Sequence, residues 1–182
     1  MENKLIRPPG DYRKLFCYQK SEAIYDITFH FVHTYLKRGD RTIDQMLQAA
    51  RSTKQNIVEG YSRTGTSKET ALKLVDVAKS SALELLSDYT DYLRARNLRQ
   101  WEENSKELQA MRKVGRVHND SAFYRELIQT RPPETIANIS ICLLKQNDYL
   151  IAKLLDSLSK AFLEEGGFRE RMTNQRIKYR GR

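Results

Sequence analysis

Cysteine, proline, glycine and histidine are all scarce in this chain, and each scarcity excludes something. Its 182 residues hold two cysteines, Cys17 and Cys142, far apart and outside any metal-spaced motif. A disulfide framework is therefore excluded, and both read as reduced thiols of a cytoplasmic protein. Cys142 lies in the apolar run ISICLL rather than in the electropositive setting a nucleophilic thiol needs. Four prolines and eight glycines leave long stretches unbroken, which excludes a loop-rich or low-complexity chain. No apolar run is long enough for a secretory leader, and Ile141 to Leu144 falls far short of the roughly 20 residues of a membrane span. There is no glycine-rich phosphate loop, no G-x-S-x-G and no H-E-x-x-H. The Glu-x-x-His spacing of di-iron bundles is missing too. No enzymatic activity, cofactor or small-molecule substrate is expected.

What remains is helical periodicity and positive charge. The spacing predicts helices over residues 15–36, 42–62, 66–96 and 133–165. Phe16, Ala23, Ile24, Ile27, Phe31 and Tyr35 form the first apolar stripe; Ile43, Met46, Leu47, Ala50, Ile57 and Tyr61 form the second. Leu72, Val75, Ala78, Ala82, Leu85, Leu86, Tyr89 and Leu93 continue the pattern in the third helix, and Ile136, Ile139, Leu143, Leu150, Leu154 and Leu158 in the fourth. Gly60 and Gly65 read as the turn between the second and third helices. Thr66-Ser67-Lys68-Glu69 reads as a capping box, with Thr66 accepting from the Glu69 N–H. The fold class expected is all-α, an antiparallel up-down four-helix bundle as one domain over residues 1–165. Residues 97–133 form an insertion of two short polar helices, and residues 166–182 a basic suffix released by Gly166-Gly167.

Ile141, Leu144, Ile151 and Leu155 give the fourth helix a second apolar surface, and Leu74 and Val77 widen the third. Either the insertion folds back over this surplus or a second copy covers it. The second reading is adopted, so a homo-oligomer is expected.

The formal net charge is +9 and the pI about 9.6. The last 17 residues carry Arg169, Arg171, Arg176, Lys178, Arg180 and Arg182 against Glu170 alone, which is more than half of that excess. Phe168 and Tyr179 are interleaved with them. Cations neutralise phosphates and aromatic rings stack on bases, so RNA or DNA is the expected partner. A second basic cluster, Arg51, Lys54, Arg63 and Lys68 with Lys73, follows Lys37, Arg38 and Arg41 at the preceding turn. An oligomer would pool these surfaces. The rival reading is a protein-interaction scaffold whose charge serves solubility.

Three further features have bland readings that prevail. Asp26, His30 and His33 share a helical face with metal-ligand spacing, but that face is expected to point to solvent, so no metal is assigned. The adjacent acids Glu102-Glu103 and Glu164-Glu165 diverge on a helix and cannot share a proton. Tyr89 and Tyr92 could stack on bases, but their spacing suits the core.

The residues Gln45, Ala49-Ala50-Arg51-Ser52, Asn56-Ile57, Glu59-Gly60 and Thr66-Ser67-Lys68-Glu69, with Tyr18-Gln19-Lys20 and Ala78 to Leu86, carry a resemblance. They resemble the four-helix-bundle proteins encoded in intervening sequences of bacterial 23S ribosomal RNA genes, in the suffix-bearing subset. They are also similar to the accessory variability determinant proteins of diversity-generating retroelements. The resemblance implies a homopentamer around a central channel with no assigned enzymatic activity. Nucleic-acid and reverse-transcriptase binding belongs to its retroelement branch. This chain departs from the pattern in its long third connection, residues 97–133, and in its suffix.

Overall fold

The computed structural model describes residues 8–181, which are all-helical with no strand among them. A 3₁₀ turn at Tyr12–Lys14 leads into α1 (Phe16–Tyr35). There follow α2 (Arg41–Arg63), α3 (Lys68–Ala95), α4 (Lys106–Val117), α5 (Ser121–Ile128), α6 (Pro133–Glu165) and α7 (Phe168–Arg180).

Short side chains set most of the boundaries. Asp40, Ser67, Ser105 and Asp120 each accept a hydrogen bond from a first-turn N–H, satisfying donors that the helix itself cannot. The cap of α3 is thus Ser67 and not Thr66, whose hydroxyl donates instead to the Arg63 carbonyl at 3.3 Å. Glu69 is not a capping partner either; it pairs with Lys73 at 2.8 Å. At the other end of α3, Asn97 takes φ 52°, and the Leu98 N–H returns to the Leu93 carbonyl at 2.9 Å. That left-handed step is a Schellman stop. Pro132 and Pro133 open α6, where a missing N–H costs nothing.

In the core, α1 packs on α2 and α6, and α3 packs on the same two helices. Ser52 meets Ser81 at 2.9 Å across α2 and α3, while the Cβ of a residue at 60 would lie against Ala71 and Val75, so these helices run antiparallel. Likewise α3 and α6 are antiparallel, joined at Lys68–Ala161 and at Lys79–Asp148. Tyr89 is wholly buried, its ring 5.1 Å from Phe31 and its hydroxyl donating to Thr28 Oγ1. Tyr92 is also core, with the Arg96 guanidinium over its ring.

Three sequence expectations change here. Phe16 is 61 % exposed, so it leaves the first stripe, while Lys20 on the same helix is buried. Gly60 is no turn residue: it lies inside α2, buried, where an added Cβ would come within 2.8 Å of Val75 Cγ2 and 3.0 Å of the Ala71 carbonyl. The surplus apolar face of α6 is consumed within one chain. Ile141, Leu144 and Ile151 are buried, because α6 has α1, α3 and α4 for neighbours and so needs a wider apolar belt than a two-neighbour helix. Leu155 is half-buried, and the exposed large apolar side chains of α6 are Tyr149 and Leu163. Among the described residues, exposed apolar side chains on α3 are confined to Val77 and Leu83.

Gly60 gives a direct prediction. In an exposed helix Gly→Ala stabilises by about 1 kcal/mol. Here the methyl must push α3 away, and Gly60→Ala should destabilise by about 1–2 kcal/mol net in urea unfolding. A gain in stability would show that α2 and α3 separate without cost.

Candidate nucleic-acid interface

Gly166, at φ +68°, ends α6, and the Glu170 carboxylate accepts from the Gly167 N–H to start α7. Residues 168–180 are helical, where the sequence suggests a basic tail released by Gly166-Gly167. α7 buries none of its residues. Arg169, Arg176, Lys178 and Arg180 are exposed and make no ion pair among the described residues, and Ile177 and Tyr179 stand out beside them at 64 % and 84 % exposure. Arg171 differs from these four. It is half-buried, with Nε and Nη2 sheltered from solvent and lacking acceptors. Arg182 lies outside the described residues.

The second cluster divides. Lys68 is 6 % exposed and does not belong to an open basic surface. Its ammonium donates to the Ala161 carbonyl at 2.6 Å and to Glu165 at 2.8 Å, tying the start of α3 to the end of α6. Lys54 is half-buried with its ammonium 4.5 Å from the centre of the Tyr25 ring. Arg51 and Arg63 are exposed. Because Lys68 holds the α6 terminus, the α2–α3 turn and the α6–α7 junction share one end of the molecule. Arg169 is close enough to Glu69 that its charge helps Lys73, the main cause, hold that carboxyl below its ordinary value. Arg63 and α7 are thus brought to one end, whereas Lys37, Arg38 and Arg41 lie about 33 Å away along α2.

The other candidates are absorbed by packing. Asp26 does not face solvent: α5 lies over it, the Ser121 hydroxyl donates to its carboxylate, and Arg125 approaches to 3.5 Å. His33 Nδ1 is 2.8 Å from the Phe29 carbonyl. Among the described residues no group of three His, Cys, Asp or Glu side chains could hold a metal ion. Glu103 pairs with Arg112. Both cysteines are buried, which pushes the Cys17 thiol up to about 11 and raises that of Cys142. No described helix is long and apolar enough to cross a membrane.

One buried cation was not singled out by the sequence patterns. The Lys20 ammonium runs beneath α4 and donates to the Gly115 carbonyl at 2.6 Å, 95 residues away. It satisfies a last-turn carbonyl of α4, and the lost hydration pushes its pKa down to about 8. Gly115 is tight against the Gln146 amide and Leu143, and the Gln146 Nε2 donates to the Arg112 carbonyl at 3.0 Å. Beside this joint a cleft opens between α1, α4 and α6. The sequence signal was a lysine on the buried side of an amphipathic helix, which counts equally well as a surface charge until its acceptor is known. Comparison with protein-family models, with curated proteins and with solved structures finds no match for this chain.

Proposed function

We propose that this protein is a non-enzymatic, oligomeric helical protein that binds RNA or DNA through a pooled basic surface centred on α7. Its architecture is an antiparallel up-down four-helix bundle of α1, α2, α3 and α6, with α4 and α5 as the insertion. The observation that carries the reading is the state of α7. It offers four exposed cations without ion pairs among the described residues and an exposed tyrosine, and none of its residues is fully buried. Phe168, Arg171, Met172 and Gln175 are half-covered on one side, and the opposite side of the helix is open to solvent. Its charges are free to displace counterions from phosphates, and Tyr179 is free to stack on an unpaired base. Arg63 extends the same surface from the neighbouring turn. A homopentamer, as the resemblance implies, would gather several copies of it, with Val77 and Leu83 on α3 as apolar residues open to such a contact.

Fluorescence anisotropy with labelled single-stranded RNA, single-stranded DNA and duplex tests this on the whole protein. Binding is expected at about 50 mM salt, weakening about 50-fold at about 200 mM if four phosphate contacts are made to a single strand. Absence of binding to all three at the lower salt would leave the interaction-scaffold reading in its place.

A further inference from the structure

The cleft between α1, α4 and α6 encloses about 720 Å³, the size of a small-molecule site. Phe16, Val117 and Tyr149 line it at 61 %, 75 % and 61 % exposure. Three of the nine large apolar side chains left exposed among the described residues thus surround one concavity. An apolar body placed between them would remove their surface from water.

The charge of the cleft has one sign. Among the described residues, Lys20, Arg112, Arg116 and Lys145 line it, with no aspartate or glutamate. Arg112 is partly neutralised by Glu103, which sits outside the lining. Lys20 is the informative member, because it is 2 % exposed and so cannot be a solvated surface charge. An ammonium has three N–H donors, and among the described residues only one of these has an acceptor, the Gly115 carbonyl. A buried cation with spare donors and no counter-charge is costly unless an anion reaches it.

We propose that this cleft binds a small organic anion, a carboxylate on an apolar acyl or aryl body. The carboxylate accepts from Lys20 at the floor, and the body lies among Phe16, Val117 and Tyr149. An anionic bilayer is the less suitable occupant, since a headgroup held in a membrane plane meets Arg116 and Lys145 but not a cation buried beneath α4. The site stands apart from α7, whose start is about 24 Å beyond Tyr149 along α6. It neither needs nor excludes nucleic-acid binding.

Isothermal titration of the full chain with octanoate and with 1-naphthoate separates the acyl from the aryl body. At least one should bind with one-to-one stoichiometry, and octylammonium and acetate should each bind at least about ten-fold more weakly, having lost the charge match or the apolar body. Lys20→Met should weaken the bound anion at least about ten-fold. Because that change touches a buried contact, Val117→Asp supplies a variant at an exposed position; it should weaken the anion by a similar factor with an unchanged melting curve. Neither anion binding, octylammonium binding as well as octanoate, or Val117→Asp without effect would each overturn the proposal. So would co-sedimentation with phosphatidylglycerol vesicles in a protein that ignores both free anions.

Discussion

Exchanging Arg169, Arg176, Lys178 and Arg180 together for glutamine should lower affinity for a single-stranded nucleic acid on the order of 100-fold near 0.1 M salt. The salt slope should flatten at the same time, by about 3 on a log–log plot, because four counterion-displacing contacts have gone. Thermal stability should not move, since α7 buries none of its residues and none of these four side chains holds an ion pair. That combination is diagnostic. A loss of affinity accompanied by a lower melting temperature would place α7 within the fold rather than on it. An affinity that survives with the same salt slope would move the interface to Arg51 and Arg63. Glutamine keeps the length and polarity of the side chains, so the comparison isolates charge. Tyr179→Ala, added separately, reports the stacking part, which salt does not screen.

Tyr89→Ala carries the largest expected stability effect. The ring is wholly buried against Phe31, and its hydroxyl donates to Thr28 at 3.0 Å. Truncation removes that burial and leaves a cavity that the surrounding helices only partly close, which costs about 3–5 kcal/mol. For a chain of this size the melting temperature should fall by about 6–20 °C. Tyr89→Phe keeps the ring and loses only the hydrogen bond, so it should cost about 1 kcal/mol. A drop below about 3 °C for the alanine variant would contradict the packing described. The phenol also has a pH signature. Burial pushes its pKa up to about 12 from 10.0, so the folded protein keeps a proton that the unfolded chain has already lost. Its contribution to stability is complete below pH 10 and declines as pH rises towards 12. Tyr89→Phe should remove that share of the alkaline destabilisation.

Helical class and most helix limits were legible in the sequence because they rest on local chemistry. α6 was expected over 133–165 and is found at Pro133–Glu165, since a diproline and a diglycine punctuate it. The cap of α3 was displaced by one residue only, because Thr66 and Ser67 both carry a hydroxyl and periodicity cannot choose between them. Long-range chemistry was illegible. Lys20 and Lys68 look like their exposed neighbours, yet each is withdrawn from the surface by carbonyl acceptors more than 90 residues away. Gly60 looks like punctuation when read along the chain and proves to be a point of close contact across it. Phe16 satisfies the stripe of α1 but falls where no other helix passes, at the open side of a cleft that only α4 could create. Of the basic residues assigned to a nucleic-acid surface, Arg169, Arg176, Lys178 and Arg180 on α7 kept their exposure, whereas Arg171 is half-buried and Lys68 lost its exposure to Glu165.

The bond from Lys68 to Glu165 spans 97 residues, and this has a meaning for the nascent chain. At translation rates of about 5–20 residues per second, Lys68 is synthesised about 5–20 s before Glu165. Throughout that interval Lys68 lacks its acceptors, and the side of α3 that will meet α6 stays wet. The hairpin of α2 and α3 must wait with only α1 beside it, and its seam is suited to waiting. Gly60 lets the two backbones approach, and Ser52 and Ser81 bridge them, with no atom from later in the chain. Closure of the core is then a late event, timed by synthesis rather than by the intrinsic speed of helix formation.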